Sequence, residues 1–281
     1  MSSVIKIVEC PRDAMQGIPN FISTKNKILY INQLLKVGFD TIDFGSFVSP
    51  KRIPQLKDTA KVLSGLELEN SSSNLLAIVA NIRGAIDACT FEQINYLGFP
   101  LSVSEIFQKR NTNISIQQAI NLLAEIQNIA TKNNKKLVVY LSMAFGNPYK
   151  ENYDTDIVAR LTDRLSKLEI GVVALSDTIG VSSSTNIALL FNTLIKEYPK
   201  IEFGAHFHTT SKNWKNKVDS AYENGCRRFD AALNGFGGCP MADDKLTGNM
   251  PTEKLITCFS EDLNLNMSEF KKSLTLSQSI F

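Results

Sequence analysis

The sequence predicts an α/β fold, a (β/α)8 barrel, and three observations predict it. Short apolar runs alternate with longer amphipathic stretches along the whole chain, the pattern of parallel strands joined by crossover helices. The alternation repeats about eight times in 281 residues, which is the arithmetic of a barrel of about 250 residues. The first run leads into Glu9-Cys10-Pro11-Arg12-Asp13, without the glycine-rich turn that an open doubly wound sheet would favour there.

The strand-like runs are Ile5–Glu9, Thr41–Phe44, Leu75–Val79, Tyr96–Val103, Leu137–Met143, Val172–Leu175, Glu202–His206 and Arg228–Asp230. Several are rich in Val and Ile, as suits strands buried on both faces. Between them, Thr24–Gly38 carries Ile28, Ile31, Leu34 and Leu35 at helical spacing, and Gly38 suits a left-handed cap. Ser115–Asn133 repeats the pattern with Ser115 as N-cap. Tyr153–Leu168, Thr185–Tyr198 and Trp214–Gly225 read the same way. No linker or composition break divides residues 1–281, so one barrel domain with a short C-terminal helical extension is expected.

Composition narrows the function. Lys+Arg total 30 against 28 Asp+Glu, a net charge of +2, which gives no broad basic face for nucleic acid. Hydrophobic residues make up 43% and charged residues 21%, which excludes a disordered chain. No run reaches the roughly 18 apolar residues of a membrane span, and Met1-Ser2-Ser3-Val4 does not read as a signal peptide. The odd count of five cysteines, Cys10, Cys89, Cys226, Cys239 and Cys258, predicts reduced thiols and a cytoplasmic location.

In a barrel, chemistry sits where strands end. The chain's two histidines form His206-Phe207-His208 at the end of the seventh run. Residues i and i+2 of a strand face one side, a spacing that random placement would give in under about one per cent of cases. The imidazoles can therefore converge as metal ligands; a pair of hydrogen-bonded core histidines is the alternative. Arg12-Asp13 follows the first run and reads either as a structural salt bridge or as a hard oxygen ligand beside an oxyanion-stabilising cation. Gly235-Phe236-Gly237-Gly238-Cys239-Pro240 predicts a loop able to approach a ligand closely, with a thiol on it. Thr247-Gly248-Asn249 reads as a turn, with a neutral amide oxygen on Asn249.

Taken together these segments resemble the hydroxymethylglutaryl-CoA lyases of the DRE-TIM metallolyase superfamily. Val8-Glu9-Cys10-Pro11-Arg12-Asp13-Ala14-Met15-Gln16 is similar to the family's EVGPRDGLQ, and Ser46-Phe47-Val48-Ser49-Pro50-Lys51 to its SFVSPK. Ser104-Glu105 through Lys109-Arg110-Asn111, Ser176-Asp177-Thr178-Ile179-Gly180, the HxH pair and Gly237-Gly238-Cys239-Pro240 followed by Gly248-Asn249 match further family motifs in order.

The resemblance implies a TIM barrel holding one divalent cation, Mg2+ or Mn2+, through Asp13, His206, His208 and Asn249. It implies an acyl-CoA substrate, with cleavage of (S)-3-hydroxy-3-methylglutaryl-CoA to acetyl-CoA and acetoacetate, the reaction used in leucine breakdown. Arg12 would stabilise the enolate, and Cys239, His206 and Asp13 would handle protons. Gln16, Asp43, Ser46 and Thr178 match positions near the substrate, and the family's habit is a homodimer. Asp43 stands where a Glu is usual, Thr209 replaces the acid of HxHD, and the Cys239–Asn249 segment is one residue longer than usual. A Claisen-type condensing enzyme of the superfamily, a lyase for another 3-hydroxyacyl-CoA and a catalytically silent metal-binding barrel are the competing readings.

Overall fold

The computed structural model describes residues 4–238 and 247–281. Strand β1 (Lys6–Glu9) leads into the short helix α1 (Pro11–Gln16), then α2 (Thr24–Leu35), β2 (Thr41–Ser46), α3 (Thr59–Leu63), β3 (Asn74–Ile78), α4 (Ile82–Cys89) and β4 (Ile94–Ser102). Two helices, α5 (Glu105–Thr112) and α6 (Ile116–Lys132), precede β5 (Lys136–Ser142). The rest follows as α7 (Thr155–Lys167), β6 (Val172–Asp177), α8 (Ser184–Glu197), β7 (Glu202–Thr209), α9 (Trp214–Glu223) and β8 (Arg228–Ala231). A two-residue strand β9 (Gly248–Asn249) and helices α10 (Thr252–Cys258) and α11 (Met267–Ile280) end the chain.

Strands β1 to β8 pair in parallel, each with its neighbours, and the β6–β7 and β1–β8 pairings close the circle. This is the (β/α)8 barrel that the alternation predicts, with α11 as its C-terminal extension. Helix starts follow local chemistry. Ser23, Asn81, Ser104, Ser115, Asp154, Ser183 and Asn266 each accept a backbone N–H through the side chain, satisfying donors that a helix leaves orphaned. Ser115 and Gln118 form a full capping box. Gly38 takes the left-handed conformation at φ +87°, although α2 itself ends at Leu35.

Alternation sorts the side chains. Outward residues such as Ile5, Ile7, Leu97, Val139, Val173 and Phe229 pack beneath the helices in one apolar layer. Leu76, Ile78, Val138, Tyr140, Val172 and Ala174 fill the barrel interior. Among the described residues no helix is long and apolar enough to cross a membrane.

Two local expectations differ. Arg12 and Asp13 lie on helix α1, which sequence periodicity does not reveal because six residues are too few for a 3.6-residue repeat to register. Gly248-Asn249 is not a free turn: it pairs antiparallel with β7, His208 opposite Asn249 and Thr209 opposite Gly248. A two-residue strand is set by its partner, which local sequence does not display.

Candidate active site

The first turn past β1 builds one wall of the site. Pro11 occupies the first turn of α1, where a missing N–H costs nothing. Arg12 and Gln16 are then one turn apart, and Gln16 lies three residues from Asp13, spacings that make neighbours on a helix. Arg12 Nη1 donates to Asp13 Oδ1 at 2.9 Å and to Gln16 Oε1 at 3.0 Å. Its Nε and Nη2 grip the Asp43 carboxylate from the middle of the neighbouring strand β2, with Nε 3.0 Å from Oδ2. Arg12, Asp13 and Asp43 are all buried.

Across the barrel, β7 points His206 and His208 inward, with ring centroids 5.7 Å apart. His206 Nδ1 lies 3.0 Å from Asp230 Oδ2, its register partner on β8. His208 Nδ1 lies 2.8 Å from the Thr178 carbonyl oxygen, just past β6. Both partners only accept, so both Nδ1 atoms carry the proton, and in the neutral form each Nε2 keeps a free lone pair. His206 Nε2 is 3.9 Å from Asp13 Oδ2. Ligand atoms of Asp13, His206 and His208 all lie within 4.8 Å of one another. One carboxylate and two neutral imidazoles, each with its second nitrogen anchored, are the donor chemistry of a divalent-metal site, so the residues fit such an ion.

Asn249 borders the cluster through its amide nitrogen, where the sequence predicts its oxygen. Its Nδ2 donates to Asp13 Oδ2 at 2.8 Å and to the Phe236 carbonyl at 2.9 Å. Gly237 is pressed against this group at φ +88°, where a Cβ would come within 2.7 Å of Asp13 O and 2.9 Å of Asn249 Nδ2. Only glycine combines that conformation with that approach, which is the local reason for the glycines of this segment. Cys239 lies outside the described residues.

Electrostatics separate the acids. Burial pushes the Asp13 carboxyl up, but Arg12, His206 and His208 outweigh it and hold Asp13 below its ordinary value. Burial raises Asp43 to about 6 despite Arg12. Burial disfavours charge on His206, yet its bond to Asp230 and the nearby Asp13 raise it on balance. Burial, then the neighbouring His206, push His208 down to about 4, so it is neutral at pH 7.

A cleft of about 210 Å³ opens over the cluster. Arg12, Asp13, Gln16, Thr178, His206 and His208 line its polar side. Val48, Ile53, Ile78, Pro100 and Phe107 contribute apolar wall. Asp43 and Ser46 are buried and do not line it: Asp43 holds Arg12, and Ser46 Oγ accepts from Val48 N. Asp230 is the functional residue that sequence reasoning passes over. Its signal is a carboxylate inside an otherwise closed strand run, on the same inward parity as Arg228. It also answers the loss of an acid at Thr209, because Asp230 and the Thr178 carbonyl orient the imidazoles instead.

Residues 5–278 match the family model described as HMGL-like. The chain is 33% identical over 258 residues to a hydroxymethylglutaryl-CoA lyase of Bacillus subtilis, covering 92% of this chain and 85% of the relative. It is 29% identical to the 3-hydroxy-3-isohexenylglutaryl-CoA/hydroxymethylglutaryl-CoA lyase of Pseudomonas aeruginosa, over 90% of this chain and 83% of the relative. Among solved structures, an HMG-CoA lyase from Acinetobacter baumannii in complex with coenzyme A and 3-methylmalate superposes with a TM-score of 0.91 at 29% identity. That match covers 100% of this chain and 93% of the other.

Proposed function

The chain belongs to the HMGL-like family, and on that premise we propose that it is a carbon–carbon lyase that cleaves (S)-3-hydroxy-3-methylglutaryl-CoA to acetyl-CoA and acetoacetate. The observation that carries the reading is the convergence of Asp13, His206 and His208 beside the Arg12 guanidinium in one cleft. Asp13, His206 and His208, with Asn249 beside them, would hold Mg2+ or Mn2+, which would supply Lewis acidity toward the substrate hydroxyl. The hydroxyl proton passes to Asp13, whose carboxylate keeps lone pairs beyond one given to an ion; His206, with Nδ1 protonated toward Asp230 and Nε2 given to the ion, has none left. The C–C bond then breaks, leaving the ketone of acetoacetate and the enolate of the acetyl thioester. Arg12 stabilises the enolate oxygen as a permanent cation, and Cys239 returns a proton to the enolate carbon. Gln16 and Thr178 position substrate directly; Asp43 and Ser46 support the wall behind them.

A second reading has its own observation. The apolar wall of Val48, Ile53, Ile78, Pro100 and Phe107 suits a larger 3-alkyl group, and the Pseudomonas relative is named for such a substrate. Residues 1–281 act as one domain, in a cytoplasmic homodimer.

A panel of 3-hydroxyacyl-CoA thioesters, assayed with Mg2+ and again with a chelator, tests this. Metal-dependent acetoacetate release from the 3-methyl substrate is expected. Cleavage of only a longer-chain thioester would move the assignment to the second reading, and no turnover of any thioester would remove the lyase reading.

A further inference from the structure

The bond that orients His208 leads to a buried lysine with no part in the reading above. Lys217 lies on α9 with its side chain 2% exposed. Its Nζ donates to Asp177 Oδ2 at 2.5 Å, to the Gly180 carbonyl at 3.0 Å and to the His208 carbonyl at 3.0 Å. Those bonds use all the protons of an ammonium. A cation so deeply buried is tolerable only when paired and fully bonded. Every acceptor belongs either to the turn after β6 or to His208 itself. Ser182 N and Oγ brace the same turn through Asp177. Within the turn, Thr178 Oγ1 accepts from Met143 N at 2.9 Å, and the Thr178 carbonyl faces His208 Nδ1.

We propose that Lys217 is a positioning residue for the metal site. It locks the 177–182 turn to the backbone of His208, so that the Thr178 carbonyl keeps the proton on Nδ1 and aims Nε2 at Asp13. His206 has an independent anchor in Asp230, so the two rings respond differently when Lys217 changes. The proposal goes beyond the lyase reading and rests on it only for the identity of the ion.

The difference between the rings makes the test. The chain has two histidines, so 15N-histidine labelling gives two ring systems. Two variants are compared with the wild type. Lys217→Met keeps the stem and removes the donors. Lys217→Met with Asp177→Asn also removes the carboxylate that would be stranded. Ring 15N shifts, Mn2+ affinity and thermal melting are measured on each. The expected result is that His208 loses its single Nδ1–H tautomer while His206 keeps its own. Mn2+ affinity should fall roughly tenfold, the usual scale for a ligand's hydrogen-bonded support. Folded variants with unchanged His208 shifts would overturn the proposal, and so would failure of both variants to fold, since the lysine would then serve the fold alone. A wild-type chain that takes up no Mn2+ would defeat the metal reading, while the His208 shifts would still decide the role of Lys217.

Discussion

At the C-terminal end of the barrel, Arg12, Asp13, Asp43, Asp230 and His208 are buried together with the half-buried His206; at the N-terminal end, Lys6, Asp40 and Glu202 gather around the buried Arg228. Both ends mix cations with carboxylates, yet they are built differently. At the first, hydrogen bonds of 2.8 to 3.0 Å fix the imidazoles by one nitrogen each and leave the other free toward a common point. At the second, Arg228 Nη1 stands 3.6 Å from Asp40 and 4.0 Å from Glu202, and the guanidinium lies over the Tyr96 ring at 5.5 Å. Among the described residues its nitrogens make no hydrogen bond. At the floor Arg228 is neutralised loosely while Lys6 Nζ donates to Glu202 Oε1 at 2.6 Å; what sets the site apart is bonding that leaves spare lone pairs. Convergence of free donor atoms, more than burial of charge, marks the functional end.

Substitutions can break that comparison. The largest effect is expected at Arg12→Ala, which removes the cation facing the developing enolate. The kcat should fall about 10²–10³-fold, the scale of losing one oxyanion donor, with circular dichroism unchanged. Normal turnover would mean that Arg12 only neutralises Asp43 and Asp13. Next comes Asp230→Asn, which leaves His206 Nδ1 with a weaker and ambiguous partner. Divalent-metal affinity, followed by calorimetry, should drop about 10–100-fold.

Arg228→Met is the counterpart at the floor. It leaves two carboxylates without their cation, but these keep 27% and 31% side-chain exposure, so stability should fall by less than the about 3–5 kcal/mol that removing one partner of a fully buried pair costs. Melting should register the change while kcat and metal affinity hold. A loss of activity would show that the two ends are coupled.

The smallest effect concerns Glu9, a fully buried carboxyl on β1 that faces no cation. Leu233 N and Thr252 Oγ1 donate to it. Burial raises it from 4.5 to about 8, only partly offset by those donors. The folded state therefore keeps the proton that the unfolded chain has lost, so the stability that Glu9 contributes is fully present below about pH 4.5 and is lost as pH rises through about 8. Glu9→Gln should flatten the dependence of Tm on pH across that window. An identical slope in the variant would show that Glu9 is ionised in the folded protein.

Much of this was legible in the chain. The Val- and Ile-rich runs and the helix caps are local signals, and they place all eight barrel strands to within a few residues. The HxH spacing puts two imidazoles on one face because a strand repeats every two residues. The segment Gly235–Gly238 announces a close approach, and Gly237 against Asp13 is that approach. Other features left no local trace. The pairing of β9 with β7, the Asp230 bond to His206 and the Lys217 bond to His208 join residues 41, 24 and 9 apart on different elements, which only their packing brings together. Sequence determined which residues face inward and which donor types reach the strand ends, because period and composition are written residue by residue. Tertiary structure alone decided which nitrogen each histidine leaves free, because that depends on the acceptor a neighbouring strand or turn happens to bring within 3 Å.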